Sequence, residues 1–166
     1  MDVLRPPVED DRAAVLETMK DPLVREWLNM PPAPGNAEFA TLLRVARDGA
    51  SSGERYDLVV TVDGDEPVGA VVASRRHRDN YELAYLANER GRGTGAMERA
   101  VRLFCDWLFA QGVGRVEVRT HPENRASQSL ARRCGFQEEG LERRSIWLHG
   151  RRADAVLWSL LPDDPR

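Results

Sequence analysis

The sequence predicts an α+β domain (α/β by some labels), a mixed sheet with helices on both faces. Three observations carry that prediction. Some segments alternate apolar and polar residues with the period of two of a strand, and others repeat apolar residues with the 3.6-residue period of a helix. The resulting order is a short strand, two helices, three strands, a helix, a strand, a helix and a closing strand pair. The helices neither alternate with every strand nor collect at one end.

Taken in order, "VLR" (residues 3–5) starts a short strand. "PVEDDRAAVLETMKD" reads as a helix opened by Pro7, with acids near its positive end. Val8, Ala14 or Val15, and Met19 share its apolar side. "PLVREWLNMPPAPG" is a mixed segment ended by prolines. "NAEFATLLRVARDG" is the second helix, capped by Asn36, stopped by Gly49, with Phe39, Leu42, Leu43 and Ala46 inward. "YDLVVTVDGDEPVGAVVASRR" is two strands joined by a turn at Asp63-Gly64-Asp65-Glu66. "YELAYLA" is a third strand. "GAMERAVRLFCDWLFAQG" is a long helix stopped by Gly112, with Ala96, Ala100, Leu103 or Phe104, Trp107 and Leu108 on one side. "GRVEVRT" sends Val116 and Val118 one way and Arg115, Glu117 and Arg119 the other. "NRASQSLARRCGF" is a helix capped by Asn124 and closed by Gly135, and the rest is a hairpin turning near His149-Gly150.

With 166 residues the chain fits a single domain, 1–166. Hydrophobic residues make up 42% and charged residues 31%, the balance of a globular protein. A net charge of -3 and a pI near 5.7 argue against a nucleic-acid-binding body. Cys105 and Cys134 sit in apolar helical patterns without a CxxC or Cys/His cluster, which predicts core thiols and no metal site. No apolar run approaches the roughly 18 residues of a membrane span, and "MDVLRPPVEDD" has no secretory pattern. The default reading is a reduced, cytoplasmic protein, monomer or homodimer.

The segment that bears chemistry is "NERGRGTGAMERA", residues 88–100. Three glycines follow a strand and open a helix, whose N-terminus carries free N–H groups and a partial positive charge. Glycine lets such a backbone approach a diphosphate closely, and Arg90 and Arg92 add charge. The plainer reading is a tight turn. No Gly-Lys-Ser/Thr is present, which excludes a P-loop. Gly91-x-Gly93-x-x-Ala96 meets the loose dinucleotide fingerprint, but it lies past the midpoint with one helical crossover behind it.

"RGRGTG" matches the Arg/Gln-x-x-Gly-x-Gly/Ala signature of the GNAT superfamily of acyl-CoA-dependent N-acetyltransferases. "VEVRTHPENRASQSLARRCGFQEEG" resembles that family's strand followed by an Asn-led helix ending in Gly-Phe. The tail "GRRADAVLWSLLPDD" and the opening "LRPPVEDDRAAVLETMKDPLV" resemble its RimJ/RimL branch, whose members acetylate ribosomal-protein N-termini. The resemblance implies a mostly antiparallel sheet splayed between "YELAYLA" and "GRVEVRT". It implies acetyl-CoA as acyl donor and an amine, on a protein N-terminus or a small molecule, as acceptor. No nucleic acid, membrane or metal is implied. The pantetheine arm would bond the strand at Leu86, Ala87 and Asn88, and the diphosphate would rest on Arg90, Gly91, Arg92, Gly93, Thr94, Gly95 and Ala96. Asn124 would cap its helix, bond the pantetheine arm, or both. "YLANERGRG" is about two residues shorter than is usual in that branch.

Attack of an amine on a thioester calls for a proton acceptor, an oxyanion donor and a way for the thiolate to leave. Glu82, at the start of the strand beside the cofactor, is the first candidate base, with a surface glutamate as the alternative. Glu117 is a poorer candidate, on a face expected to be solvated or helix-covered; His77 and His121 read as solvated. The tyrosine that many relatives place seven residues after the asparagine is replaced by Ala131. Ser127, three residues after Asn124, matches a serine of the RimJ/RimL branch and is the candidate acid; its local alternative is a backbone partner. The acceptor side should come from the N-terminal helices, "EWLNMPPAPGN" and the closing hairpin, with Trp27, Met30 and Trp147 as candidate linings. A non-catalytic acyl-CoA sensor and a dinucleotide-dependent oxidoreductase are the competing readings.

Overall fold

The computed structural model describes residues 3–63 and 66–165. Seven strands form one sheet in the order β1-β2-β3-β4-β5-β7-β6. They are β1 (Val3–Arg5), β2 (Arg55–Thr61), β3 (Pro67–His77), β4 (Asn80–Ala87), β5 (Arg115–Thr120), β6 (Gln137–Leu148) and β7 (Arg151–Leu160). The pairing is antiparallel except between β4 and β5. Gly64 and Asp65, in the expected turn between β2 and β3, lie outside the described residues.

The helices are α1 (Arg12–Lys20), α2 (Pro22–Trp27), α3 (Asn36–Ser52), α4 (Ala96–Ala110) and α5 (Arg125–Arg133). Helix α4 supplies the main core. Ala96, Ala100, Phe104 and Leu108 form one buried stripe, widened by Met97, Val101 and Cys105, against Val71, Ala73, Leu83 and Val116. Phe104 takes the inward place left open between it and Leu103, which is 54% exposed. Trp107 was expected inward too. It stays 41% exposed and meets Tyr56 edge-on at 4.9 Å. Both cysteines are buried and outside any disulfide, and burial pushes the Cys134 thiol up to about 11.

The N-terminal half departs from expectation at its punctuation. A 3-10 turn at Glu9–Asp11 precedes α1, so Pro7 does not open the helix. The carboxylate of Asp11 is taken by Arg5 at 2.7 Å and by the Val8 amide at 2.8 Å, which commits these residues to a separate turn. Ala14 and Thr18 then face inward and Val8 faces out. The expected mixed segment after α1 contains α2, opened by Pro22 and capped by Asp21. Gly35, not Asn36, stands at the start of α3, where its N–H donates to Glu38 Oε2 at 2.9 Å.

Helix α3 also runs through Gly49 to Ser52 and ends on Gly53, which takes φ 69°. Gly49 is there for proximity: a Cβ would lie 2.8 Å from Arg55 Cβ and 2.9 Å from the Arg55 carbonyl oxygen as the chain returns into β2. Gly49→Ala should therefore destabilise the fold by about 1–3 kcal/mol through overpacking, read as a lower urea midpoint at unchanged slope.

Candidate active site

The β4–β5 pairing is short. It joins Asn80, Tyr81 and Glu82 to Arg115, Val116 and Glu117 and then stops, while β4 runs on to Ala87 and β5 to Thr120. Beyond Glu82 the two strands part. On its other side β4 stays paired with β3 from Tyr81 to Ala87 without a break. The shorter connection to the loop thus leaves no bulge in this part of β4.

The gap opens into a cavity of about 610 Å³. Leu83, Ala84, Tyr85, Leu86 and Ala87 form one wall and Val118, Arg119, Thr120 and His121 the other. Gly91, Arg92, Gly93 and Gly95 stand at one end; Leu23, Val24, Trp27, Leu28 and Ile146 lie on the side of α2 and β6.

The glycine loop is organised from within. Asn88 accepts the Gly91 and Arg92 amides on its carbonyl at 3.1 and 3.2 Å and the Gly91 amide on Oδ1 at 3.1 Å. Its Nδ2 donates to Thr18 Oγ1 and the Pro67 carbonyl, both at 3.2 Å. Its polar groups are thus spent on holding the loop. Thr94 Oγ1 donates to the Gly91 carbonyl at 2.9 Å and accepts the Ala96 amide at 3.2 Å. Among the described residues, the amides of Gly93, Thr94 and Gly95 carry no hydrogen bond to the chain. Gly93 and Gly95 sit at φ 73° and 77°, which glycine adopts without a steric penalty. A Cβ on Gly91 would collide with the Val68 carbonyl, whereas one on Gly93 would meet nothing within 4 Å. Three free amides at the N-terminus of a 15-residue helix make an anion cradle.

The loop arginines are already paired. Arg90 meets Glu66 at 2.8 Å on the exposed rim. Arg92 meets Asp21 at 2.5 Å, tying the loop to the start of α2. Burial raises the Asp21 carboxyl, but Arg92 and the Val24 and Leu23 amides outweigh it and leave it below the usual range. Glu98, in the first turn of α4, is held by Arg133 at 2.7 Å, chiefly for which its carboxyl also lies low.

Asn124 caps α5: its Oδ1 accepts the Ser127 amide at 3.0 Å. Ser127 Oγ donates to the Tyr85 hydroxyl at 3.1 Å, and that hydroxyl donates to the Ser127 carbonyl at 3.0 Å. Asn124, Ser127 and Tyr85 all line the cavity.

Glu82 does not line it. At the closed base of the gap its carboxylate is 2.6 Å from Arg76 and 3.4 Å from Arg119. Glu117 lies beside it, buried at 9% exposure and so not solvated. It is bonded by Asn80 at 3.0 Å, Arg115 at 2.8 Å and Arg119 at 3.1 Å. Arg115 and Arg119 reach onward to Glu139 and Glu142 of β6. The face that looked solvated is an ionic lattice locking β4, β5 and β6 together.

Trp27 lines the cavity with its ring 5.2 Å from that of His121. Met30 lines instead a second cavity of about 220 Å³ beneath α1 and α3. Trp147 is 57% exposed, and its carbonyl accepts Asn29 Nδ2 at 2.6 Å. With the His149 amide donating to Asn29 Oδ1 at 2.9 Å, this fastens the hairpin tip to the segment after α2. Tyr85 and Arg133 were not singled out from the sequence. A tyrosine on the same strand face as Leu83 and Ala87 needs a hydroxyl partner inside, a signal that was there to read.

The acetyltransferase (GNAT) domain family matches residues 3–137. The chain belongs to the GNAT family of acetyltransferases. It is similar to the uncharacterized N-acetyltransferase p20 of Bacillus licheniformis, 26% identical over 157 residues covering 92% of this chain and 88% of that one. Its fold is similar to that of Mycobacterium smegmatis RimJ in complex with CoA-disulfide. The TM-score is 0.88 at 23% identity, over 98% of this chain and 82% of that one. The ribosomal-protein-S5-alanine acetyltransferase of Vibrio fischeri gives a TM-score of 0.82 at 22% identity, over 99% and 95%. As a GNAT acetyltransferase the chain transfers an acetyl group from acetyl-CoA to an amine. The dinucleotide reading lacks its parallel sheet, since β4–β5 is the one parallel pairing among the described strands. No described helix is long and apolar enough to cross a membrane.

Two outcomes are expected. Gly93→Glu places a carboxylate and a strained backbone in the cradle and should abolish acetyl-CoA binding in calorimetry; unchanged affinity would remove the loop from the site. Glu139, held chiefly by Arg115 and also by Ser159, titrates at about 2, against an ordinary value of 4.5. A depressed carboxyl stabilises the fold above about 4.5, and that contribution fades as pH falls toward about 2. Glu139→Gln should therefore be less stable than the native chain at pH 6, with the two converging near pH 2 in denaturant titrations.

Proposed function

We propose that this GNAT enzyme seats the coenzyme A diphosphate on the amides of Gly93, Thr94 and Gly95, with the pantetheine arm along Leu83 to Ala87, Asn88 being engaged within the loop. The acceptor would be the α-amine of a peptide with a small or apolar first residue, entering past α2. One observation carries the reading: β4 loses its β5 partner after Glu82, leaving backbone groups facing a cavity that runs from the glycine loop to α2.

The acceptor class follows from what lines that far side. Leu23, Val24, Trp27, Leu28 and Ile146 are apolar, and the carboxylate that lines the cavity, Glu98, stands by the loop and is ion-paired. His121 Nδ1 accepts the Glu123 amide at 3.2 Å, which leaves Nε2 as the nitrogen turned to donate. Among the described residues no unpaired carboxylate lines this cavity, so the amine arrives neutral. An α-amine, titrating near 7.7–8.0, is neutral in roughly one molecule in seven at pH 7; an alkylamine near 10.4 is neutral in about one in 2,500. The α-amine is thus favoured by more than two orders of magnitude before any contact is counted. That the Vibrio fischeri relative is described as acting on an alanine agrees with this class.

In the reaction the amine nitrogen attacks the thioester carbonyl, and an unpaired N–H of the β4 edge meets the oxyanion. The carbon–sulfur bond then breaks, the electron pair leaves on sulfur, and the amine proton passes to water. The Ser127 hydroxyl donates a hydrogen bond to the departing thiolate.

Thiol release from acetyl-CoA should be faster with Ala-initiated and Leu-initiated peptides than with spermidine, kanamycin or an N-terminally blocked lysine peptide. Preference for any of the last three would overturn the acceptor assignment. Glu82→Gln should keep kcat within about threefold, because its carboxylate serves Arg76 and Arg119. A loss on the order of a hundredfold, typical of a removed general base, with intact acetyl-CoA affinity would make Glu82 the base.

A further inference from the structure

We propose that Tyr85 is a positioning residue for the leaving group: its buried hydroxyl aims the Ser127 hydroxyl at the sulfur of coenzyme A and replaces the hydrogen bond that Ser127 gives up. The inference rests on the role given to Ser127 above.

Three features place the pair. Tyr85 lies in the stretch of β4 without a β5 partner, on the strand face it shares with Leu83 and Ala87. Ser127 is in the first turn of α5, with its amide fixed by Asn124 Oδ1 at 3.0 Å. A serine there ordinarily turns its hydroxyl to nearby backbone. This one donates instead across the cavity wall to Tyr85 at 3.1 Å, and Tyr85 donates to the Ser127 carbonyl at 3.0 Å. Ala131 of α5 is fully buried, and the phenol that meets this helix comes from β4.

Each hydroxyl has one proton to donate and lone pairs to accept with. At rest the Ser127 proton points at Tyr85 and the Tyr85 proton at the carbonyl. When the carbon–sulfur bond breaks, Ser127 rotates its proton to the sulfur. The Tyr85 proton then turns from the carbonyl to Ser127 Oγ, over a distance already at hydrogen-bond length. No proton changes owner, so the exchange needs no co-reactant. Burial, the largest influence on Tyr85, raises its ionisation well above the ordinary range, which keeps the phenol neutral and makes it a donor, not an acid.

The test titrates the thiol of bound coenzyme A by the ultraviolet absorbance of its thiolate, which requires no acceptor. In the native chain that pKa should fall below that of free coenzyme A, and Ser127→Ala should return it to the free value. Tyr85→Phe should raise it by roughly half a unit to one unit, one hydrogen bond's worth, with no further change when combined with Ser127→Ala. Turnover with an Ala-initiated peptide should fall roughly two- to tenfold in Tyr85→Phe at an acetyl-CoA KM within about twofold. Tyr85→Leu provides a second hydroxyl-free variant should the first fail to fold. A thiol pKa unmoved in Tyr85→Phe but moved in Ser127→Ala, or equal Tyr85→Phe effects in both backgrounds, overturns the role of Tyr85. A native thiol no different from free coenzyme A overturns the role of Ser127 and the inference with it. Failure of coenzyme A to bind at all, seen by calorimetry, instead overturns the proposed seat of the cofactor.

Discussion

The site depends on one constraint: β4 and β5 are bonded at their base and nowhere above it. Three residue pairs close the gap below Glu82 and Glu117. The lattice of Arg76, Glu82, Glu117, Arg115, Arg119, Glu139 and Glu142 sits on that base and resists further opening. Higher up, each strand has its second neighbour, β3 for β4 and β7 for β5, so parting costs the sheet one ladder and not its integrity. The backbone groups so released face the same cavity as the side chains of Arg92, Arg119, His121, Asn124, Ser127 and Arg133.

Charge is distributed accordingly. Carboxylates that looked chemically available from the sequence are anchored to arginines, and those arginines are anchored in return. A lone buried carboxylate could serve as a base by having its pKa raised. Here the resolved shifts run the other way, with Glu117, Glu139 and Glu98 all held low. These groups hold strands and helix ends in place. Among the described residues, the amides of Gly93, Thr94 and Gly95 carry no such partner.

The joint between Arg92 and Asp21 ties the glycine loop to the start of α2, two parts of the cavity wall. One ion pair therefore fixes the position of the loop relative to that helix. The hairpin tip, bound through Asn29, completes the same wall from the far end of the chain.

Local chemistry made much of this legible in the sequence. The glycine loop opening α4, the Asn124 cap, the strand alternation of "GRVEVRT" and the turn at His149-Gly150 are each written within a few residues. The family signature was legible for the same reason, because a backbone that must meet a diphosphate needs glycine at fixed spacing. What depends on distant partners was not. Gly49 looked like a helix stop because its reason lies in the returning strand at Arg55. Glu82 looked like a base because Arg76 and Arg119, which occupy it, are brought there by the sheet. Tyr85 drew no notice because its partner Ser127 is 42 residues away. The sequence by itself determined most of the elements, the Asn124 cap and the glycine turn that opens α4, since these are set by neighbours along the chain. Only the tertiary structure decided which polar groups are spent on each other and which remain free to act, because that is set by neighbours in space.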